Sequence, residues 1–245
     1  MESDRAASPG GFRIATWNLH GASRPDLGGV VAALTDESVD VVALQEVRRR
    51  QAVELADRLG GLHVRWLLKH RPWGAMAPRL AEGLAVLSRY PVVSESTASL
   101  TPEVGLNTHR RRVLQEVVLD VDGEHVRVVN VHLDSARSDR RAEQAQRAAA
   151  LLGVAAASGG TDRTVLAGDL NTGDERGVLE PFARLSLVDA PAGATSPAGR
   201  AVARLDHILV GAALVATRVR VPDDGPAWAR LSDHLPVFAD VAPRG

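Results

Sequence analysis

The sequence predicts a layered α/β or α+β domain, and three observations carry that reading. Apolar runs of 5–9 residues, rich in Val, Leu and Ile, recur along the chain as strands do. Helical patterns are interspersed among them rather than gathered in one block. Composition is that of an ordinary globular protein, with 45% hydrophobic and 24% charged residues. Strands and helices mixed in this way bury one face of each element against a neighbouring layer.

The elements follow in chain order. After a lead-in at 1–11, "FRIATWNL" (12–19) reads as a strand. Residues 26–36 place Leu27, Val30, Val31 and Leu34 on one helical face. "VDVVALQEV" (39–47) is a strand, and 51–59 is a helix stopped by Gly60–Gly61. A loop spans 70–82, a strand "GLAVLSRYPVV" spans 83–93, and a second loop spans 98–111. "VLQEVVLDV" (113–121) and "VRVVNVHLD" (126–134) alternate as a hairpin turning at Asp122–Gly123. The longest helix, 138–157, has Ser138 as its cap and turns Ala142, Ala145, Ala149 and Leu152 inward. Strands at 163–171, 205–210 and 235–241 complete the set, with a loop at 190–204. No linker divides these elements into two groups, so the expectation is one domain over 12–245.

Several classes of protein are excluded. No run of 18 apolar residues exists, so no spanning helix is expected. The start, "MESDRAASPGG", lacks an apolar signal region, and the expectation is a cytoplasmic protein. The absence of cysteine removes disulfides, thiolate metal sites and a cysteine nucleophile. A net charge of −1 provides no global field toward nucleic acid. Basic residues are nearly all arginine, clustered at 48–50 and 110–112, and Lys69 is the one lysine. Arg48–Arg50 open a helical pattern and read as solvated surface. Nothing requires an oligomer, and a monomer is compatible with the sequence.

The polar residues fall in a pattern. Candidate strands end in Asn18 and His20, Gln45 and Glu46, His132 and Asp134, and Asp169 and Asn171. Asp206 and His207 open the strand at 205–210, while Asp233 and His234 stand before the last one. Taken singly, each reads as a turn residue bonding its own backbone, or as a satisfied core histidine. Together they are harder to explain so. Glu46 and Asp169 each follow a run buried on both faces, where an uncompensated carboxylate is costly. Carboxylates, amides and histidines converging without cysteine point to a hard divalent ion, Mg²⁺ with Mn²⁺ or Ca²⁺ as alternatives.

Seven blocks carry a closer likeness: "TWNLHG" (16–21), "LQEV" (44–47), "EGLAVLSRYPV" (82–92), "VNVHLD" (129–134), "GDLNT" (168–172), "LDHILV" (205–210) and "SDHLPV" (232–237). In this order they resemble the endonuclease/exonuclease/phosphatase (DNase I-like) superfamily over nearly the whole chain. The resemblance implies a four-layer α-β-β-α sandwich, with two mixed sheets packed face to face under outer helices. It implies Glu46 as principal Mg²⁺ ligand, with Asn18 beside it and Asp233 near the metal. Asp169 would orient or deprotonate water, and Asn171 would bond phosphate oxygens. His234 would meet the scissile phosphate, paired with Asp206, while His132 and Glu82 resemble a second histidine–carboxylate pair. His20 stands where abasic-site nucleases carry aspartate, which argues against that branch. His207 follows Asp206 where several branches have Arg or Tyr, and packing or a site-edge role fits it equally.

The expected reaction is metal-assisted phosphodiester hydrolysis by direct attack of water, most like an endo- or exonuclease. An inositol-phosphate or sphingomyelin-type hydrolase is the alternative, and a binding module that has lost activity is a third reading. A nucleic-acid groove would draw on Arg110–Arg112 and on Arg65 to Arg71 with Trp66 and Trp73. An apolar insert at 71–83, with Trp73, Met76 and Leu80, reads as a lid or as a packed loop.

Overall fold

A computed structural model describes residues 10–69, 81–101, 111–156, 162–173 and 175–245. The expected lead-in and both loops carrying the insert and Arg110 fall mainly outside these residues.

Among the described residues, twelve strands form two six-stranded sheets, with helices on the outer faces. In the first sheet the order is β11 (Leu214–Arg220), β12 (Val237–Pro243), β1 (Phe12–Asn18), β2 (Val41–Arg48), β4 (Glu82–Ser88), β3 (His63–Leu68). In the second it is β5 (Val92–Ser99), β6 (Val113–Val121), β7 (Glu124–His132), β8 (Thr164–Asp169), β10 (Asp206–Val210), β9 (Val188–Asp189). Each sheet is mixed: β1–β2 and β7–β8 are parallel, and their other pairings are antiparallel. This is the expected four-layer sandwich.

Three apolar clusters mark the spaces between layers. Ile14, Val41, Val117, Val128, Ile208 and Val237 fill the gap between the sheets. Trp17, Leu44 and Leu87 pack under α1 (Leu27–Asp36) and α2 (Arg49–Arg58) through Leu34, Leu55 and Ala56. Val129, Leu166 and Leu209 pack under α3 (Ser138–Ala156) and α4 (Arg176–Ala183) through Ala145, Leu152 and Phe182. Each fully buried large side chain contributes roughly 1.5–3 kcal/mol.

Local chemistry explains the element limits. Asp26 caps α1 by accepting the backbone N–H groups of Gly28 and Gly29. The stop of α2 falls at Gly60 and Gly61, both at positive φ (98° and 79°), as the sequence predicted. Asp122 and Gly123 turn the β6–β7 hairpin at φ of 55° and 89°. α3 runs from Ser138 with Ala145, Ala149 and Leu152 inward and Ala142 half-buried.

A polar layer crosses the otherwise apolar inter-sheet core. Gln45 Nε2 donates to Asn130 Oδ1 (2.8 Å) and to Thr16 Oγ1 (3.1 Å). Asn130 Nδ2 donates to the carbonyls of Leu44 and Ala85, each at 3.0 Å. These bonds fix β7 against β2 and β4, and therefore fix the strand ends directly above them.

Candidate active site

Strand direction brings the predicted residues to one rim of the sandwich. β1, β2, β7 and β8 end there, while the antiparallel β4, β10 and β12 begin there. In the second sheet, register places His132 opposite Asp169, and Asp169 opposite Asp206. Three ionisable side chains thus stand in a row, one per strand. In the first sheet Asn18 pairs with Gln45, next to Glu46.

Two backbone irregularities aim side chains into the rim. The β2–β4 register shifts between Leu44 and Val47, and Glu46 sits in this bulge at φ 50°. A bulge of this kind redirects a side chain, and positive φ at a non-glycine residue marks strain held by the surrounding structure. Asn171 has the same conformation, φ 53°, immediately past β8. Gly168 is required because a Cβ there would lie 2.0 Å from the Val131 carbonyl oxygen. The glycine lets β8 approach β7 closely just before Asp169.

Asp169 is the hub. Asn18 Nδ2 donates to its Oδ2 (3.0 Å), and the Asn171 backbone N–H donates to its Oδ1 (2.9 Å). His132 Nε2 lies 3.6 Å from Oδ2. Burial and the neighbouring Asp206 raise the Asp169 carboxyl to about 7, against the pull of His234 and of the two donors. The Asn171 amide itself donates to the Leu133 carbonyl (3.1 Å).

His234 sits between Asp206 and the backbone of β1. Its Nδ1 is 2.8 Å from Asp206 Oδ2, and its carbonyl accepts the Trp17 indole N–H at 2.8 Å. The Ser232 hydroxyl accepts the His234 N–H (3.1 Å) and donates to the Asn18 carbonyl. The "SDH" segment is therefore both a capped turn and a site wall. Burial works against the imidazolium, but Asp206 and Asp169 outweigh it and raise His234 to about 10.

Glu46 and His132 share a partner that sequence reasoning did not assign. Lys69 Nζ lies 3.2 Å from Glu46 Oε1 and 3.2 Å from His132 Nδ1. An ammonium only donates, so His132 Nδ1 accepts and its proton is on Nε2, toward Asp169. Burial and Arg112 lower Lys69 to about 8, against the pull of Glu46. Burial, Lys69 and Arg112 hold His132 well below the usual histidine range, hence neutral. The sequence signal for Lys69 was available, since it is the one lysine among 29 basic residues.

Two expected residues make contacts other than those the resemblance implied. Glu82 makes no ion pair with His132 among the described residues. It accepts the Ala22 backbone N–H, and burial and Glu46 raise its carboxyl. Asp233 is half-exposed and pairs with His20 Nδ1 at 3.3 Å. His207 is fully buried, its Nε2 2.6 Å from the Thr172 carbonyl and its Nδ1 3.2 Å from Asp189. It braces the turn that carries Asn171.

The donors suit a hard cation. Asp169 and Asp206 offer carboxylate oxygens within 4.8 Å of one another and of a His234 ring nitrogen, though His234, as an imidazolium, donates rather than ligates. Asp206 Oδ1 and Glu82 Oε1 are buried without a hydrogen-bond partner. Buried carboxylate oxygens with spare lone pairs and no thiolate match Mg²⁺, Mn²⁺ or Ca²⁺.

The model of the Endonuclease/Exonuclease/phosphatase family matches residues 15–234, from β1 to the histidine of this site. The chain belongs to that family. Members of the family are hydrolases of phosphoester bonds. Solved structures agree on the fold. An endonuclease/exonuclease/phosphatase from Bacteroides vulgatus superposes with a TM-score of 0.75 at 20% identity, covering 96% of this chain and 99% of that one. The mannosyl-6-phosphatase of Bacteroides thetaiotaomicron gives 0.75 at 18% identity, with 94% and 99% covered. Sphingomyelinase C from Streptomyces griseocarneus gives 0.67 at 20%, again covering 94% and 99%. No curated protein sequence matches the chain. No helix among the described residues is long and apolar enough to cross a membrane.

Proposed function

We propose that the protein hydrolyses a phosphoric ester by direct attack of water, assisted by a divalent cation. The observation that carries this reading is Asp169. It is a buried carboxylate held on both oxygens by Asn18 and Asn171, close to neutrality in pKa, and beside an imidazolium fixed by Asp206.

Each group has a task in the reaction. Asp169 receives the proton of the attacking water, and a pKa near the working pH suits a general base. Its fixed orientation keeps the water in line with the ester. His234 remains an imidazolium through neutral pH and donates Nε2–H to a phosphoryl oxygen as charge builds there. Asp206 holds Nδ1, so the Nε2 proton is the one presented. Neutral His132 keeps Asp169 from facing another full positive charge. Glu46 and Asn18 would hold the cation, with Asp233 on the solvent side. When bound, it would neutralise phosphoryl charge and lower the barrier to a poor leaving group. No serine or cysteine is placed to act as a nucleophile among these groups, which supports direct water attack.

The test is EDTA-sensitive cleavage of p-nitrophenyl phosphate or bis-p-nitrophenyl phosphate under Mg²⁺ and Mn²⁺. Glu46→Ala should lose that activity, and full activity in the variant would remove the metal assignment.

A further inference from the structure

The rim holds two cations that this reaction does not use. Lys69 follows β3, and Arg112 precedes β6. Gln115 Nε2 donates to the Arg65 carbonyl (2.9 Å) and staples these two strands together across the sheets. Across the second sheet the order is β6, β7, β8, β10, so Arg112, His132, Asp169 and Asp206 follow one another on successive strands. Lys69 and Arg112 therefore lie at the His132 end of the row, and His234 lies at the Asp206 end.

Both cations are desolvated, with 6% and 9% residue exposure for Lys69 and Arg112. Lys69 uses two of its three donors, on Glu46 and His132. Arg112 is less provided for. Its Nε and Nη1 are buried and have no hydrogen-bond partner among the described residues. Burial lowers its pKa, against the fields of Asp134, Glu46 and Asp169. Asp134 makes no ion pair with Arg112 among the described residues, and its Oδ1 accepts the backbone N–H groups of Ala136 and Arg137. A buried guanidinium with unmet donors is costly unless an anion meets it, and arginine suits phosphate oxygens best.

Counting oxygens narrows the anion. A diester phosphate has two non-bridging oxygens sharing one negative charge, and His234 claims one of them. A terminal phosphate has three such oxygens and carries about −1.5 to −2 at pH 7. Two further cations at the far end of the row match the extra oxygen and the extra charge. From this geometry we infer that Lys69 and Arg112 form a binding site for the doubly charged terminal phosphate of a phosphomonoester substrate. The inference rests on the phosphoester-hydrolase reading above and selects monoesters over diesters within it.

The test has two arms. In the first, inorganic phosphate is titrated calorimetrically into EDTA-treated protein near neutral pH. Wild type binds it, and Arg112→Gln and Lys69→Gln each weaken binding about tenfold or more. Arg112→Lys, which keeps the charge, recovers part of the loss and covers the case in which a neutral variant fails to fold. No binding by wild type, or equal binding by all variants, overturns the site even if hydrolysis is confirmed. In the second arm, KM is measured with Mg²⁺ for p-nitrophenyl phosphate and bis-p-nitrophenyl phosphate. The variants should raise KM for the monoester at least about tenfold more than for the diester. Equal losses would overturn the assignment, because they place the pair on the phosphate that both esters share. If wild type cleaves neither ester, the hydrolase reading fails, and the titration still decides the anion site.

Discussion

Asn18 Nδ2 donates to Asp169 Oδ2 over 3.0 Å and ties the end of β1, in one sheet, to the end of β8, in the other. The bond favours the charged carboxylate and opposes the burial that raises Asp169 to about 7. Asn18→Ala removes it, so the Asp169 pKa rises and the acidic limb of the pH–rate profile moves to higher pH. Turnover near pH 7 should fall about tenfold or more. An unmoved limb would show that Asp169 is not the group titrating in that limb.

Asp206→Asn keeps the shape of the His234 partner and removes its charge. His234 should then titrate well below its present value of about 10, which NMR of the ring protons reads directly. Turnover should drop by about 10²–10⁴-fold, because the imidazolium and its orientation are lost together. His234→Ala should abolish turnover while circular dichroism and metal binding stay close to wild type. A variant that unfolds would instead make His234 a structural residue.

Asp169 also links stability to pH in the metal-free protein. Its folded pKa, about 7, lies above the ordinary 3.8, so folding favours the protonated acid. The stability this provides is complete below about pH 4 and is lost as pH rises through about 7. His234 is raised from 6.5 to about 10, so its contribution persists until higher pH. Urea unfolding in EDTA should therefore show wild type weakening between about pH 4 and 8, and Asp169→Asn removing much of that slope. At pH 8 the variant should be the more stable by on the order of 1–3 kcal/mol. A wild-type slope of opposite sign would contradict this.

Asn130→Ala empties the polar layer beneath the site. It removes one of the acceptors of the Gln45 amide, which keeps Thr16 and Ala43, and the side-chain donor to the Leu44 and Ala85 carbonyls. The cost should be about 2–4 kcal/mol, seen as a lower urea midpoint. Because Asn130 lies two residues before His132, turnover should fall as well, through altered position rather than lost chemistry.

The strands that sequence patterning found are those with neighbours on both sides. It missed β3, β9 and β11, and ran the start of β5 together with β4. These four are the sheet edges. An edge strand is solvated along one side and often on one face, so it carries no apolar run. β5 reads "VVSESTAS" and is largely exposed. α4 escaped because Pro181 sits inside it, where a proline usually ends a helix. In the site, strand-end polar residues were legible because buried carboxylates are rare. Lys69 was not, and Arg112 entered only within the 110–112 cluster, because each borders a stretch that patterning assigned to a loop. The resemblance named the His234–Asp206 pair, whereas the contact of His132 with Lys69 in place of Glu82 was hidden, since it joins residues at the ends of different strands.

β12 lies between β11 and β1, so the chain's last strand completes the sheet begun by its first. His234 enters the rim on the turn that leads into β12, and its carbonyl is held by Trp17 of β1. A chain cut between residues 206 and 232 contains Glu46, Asp169 and Asp206 but lacks His234 and the strand that follows it. Under the proposed function, the centre stays incomplete until residues 232–241 are seated beside β1.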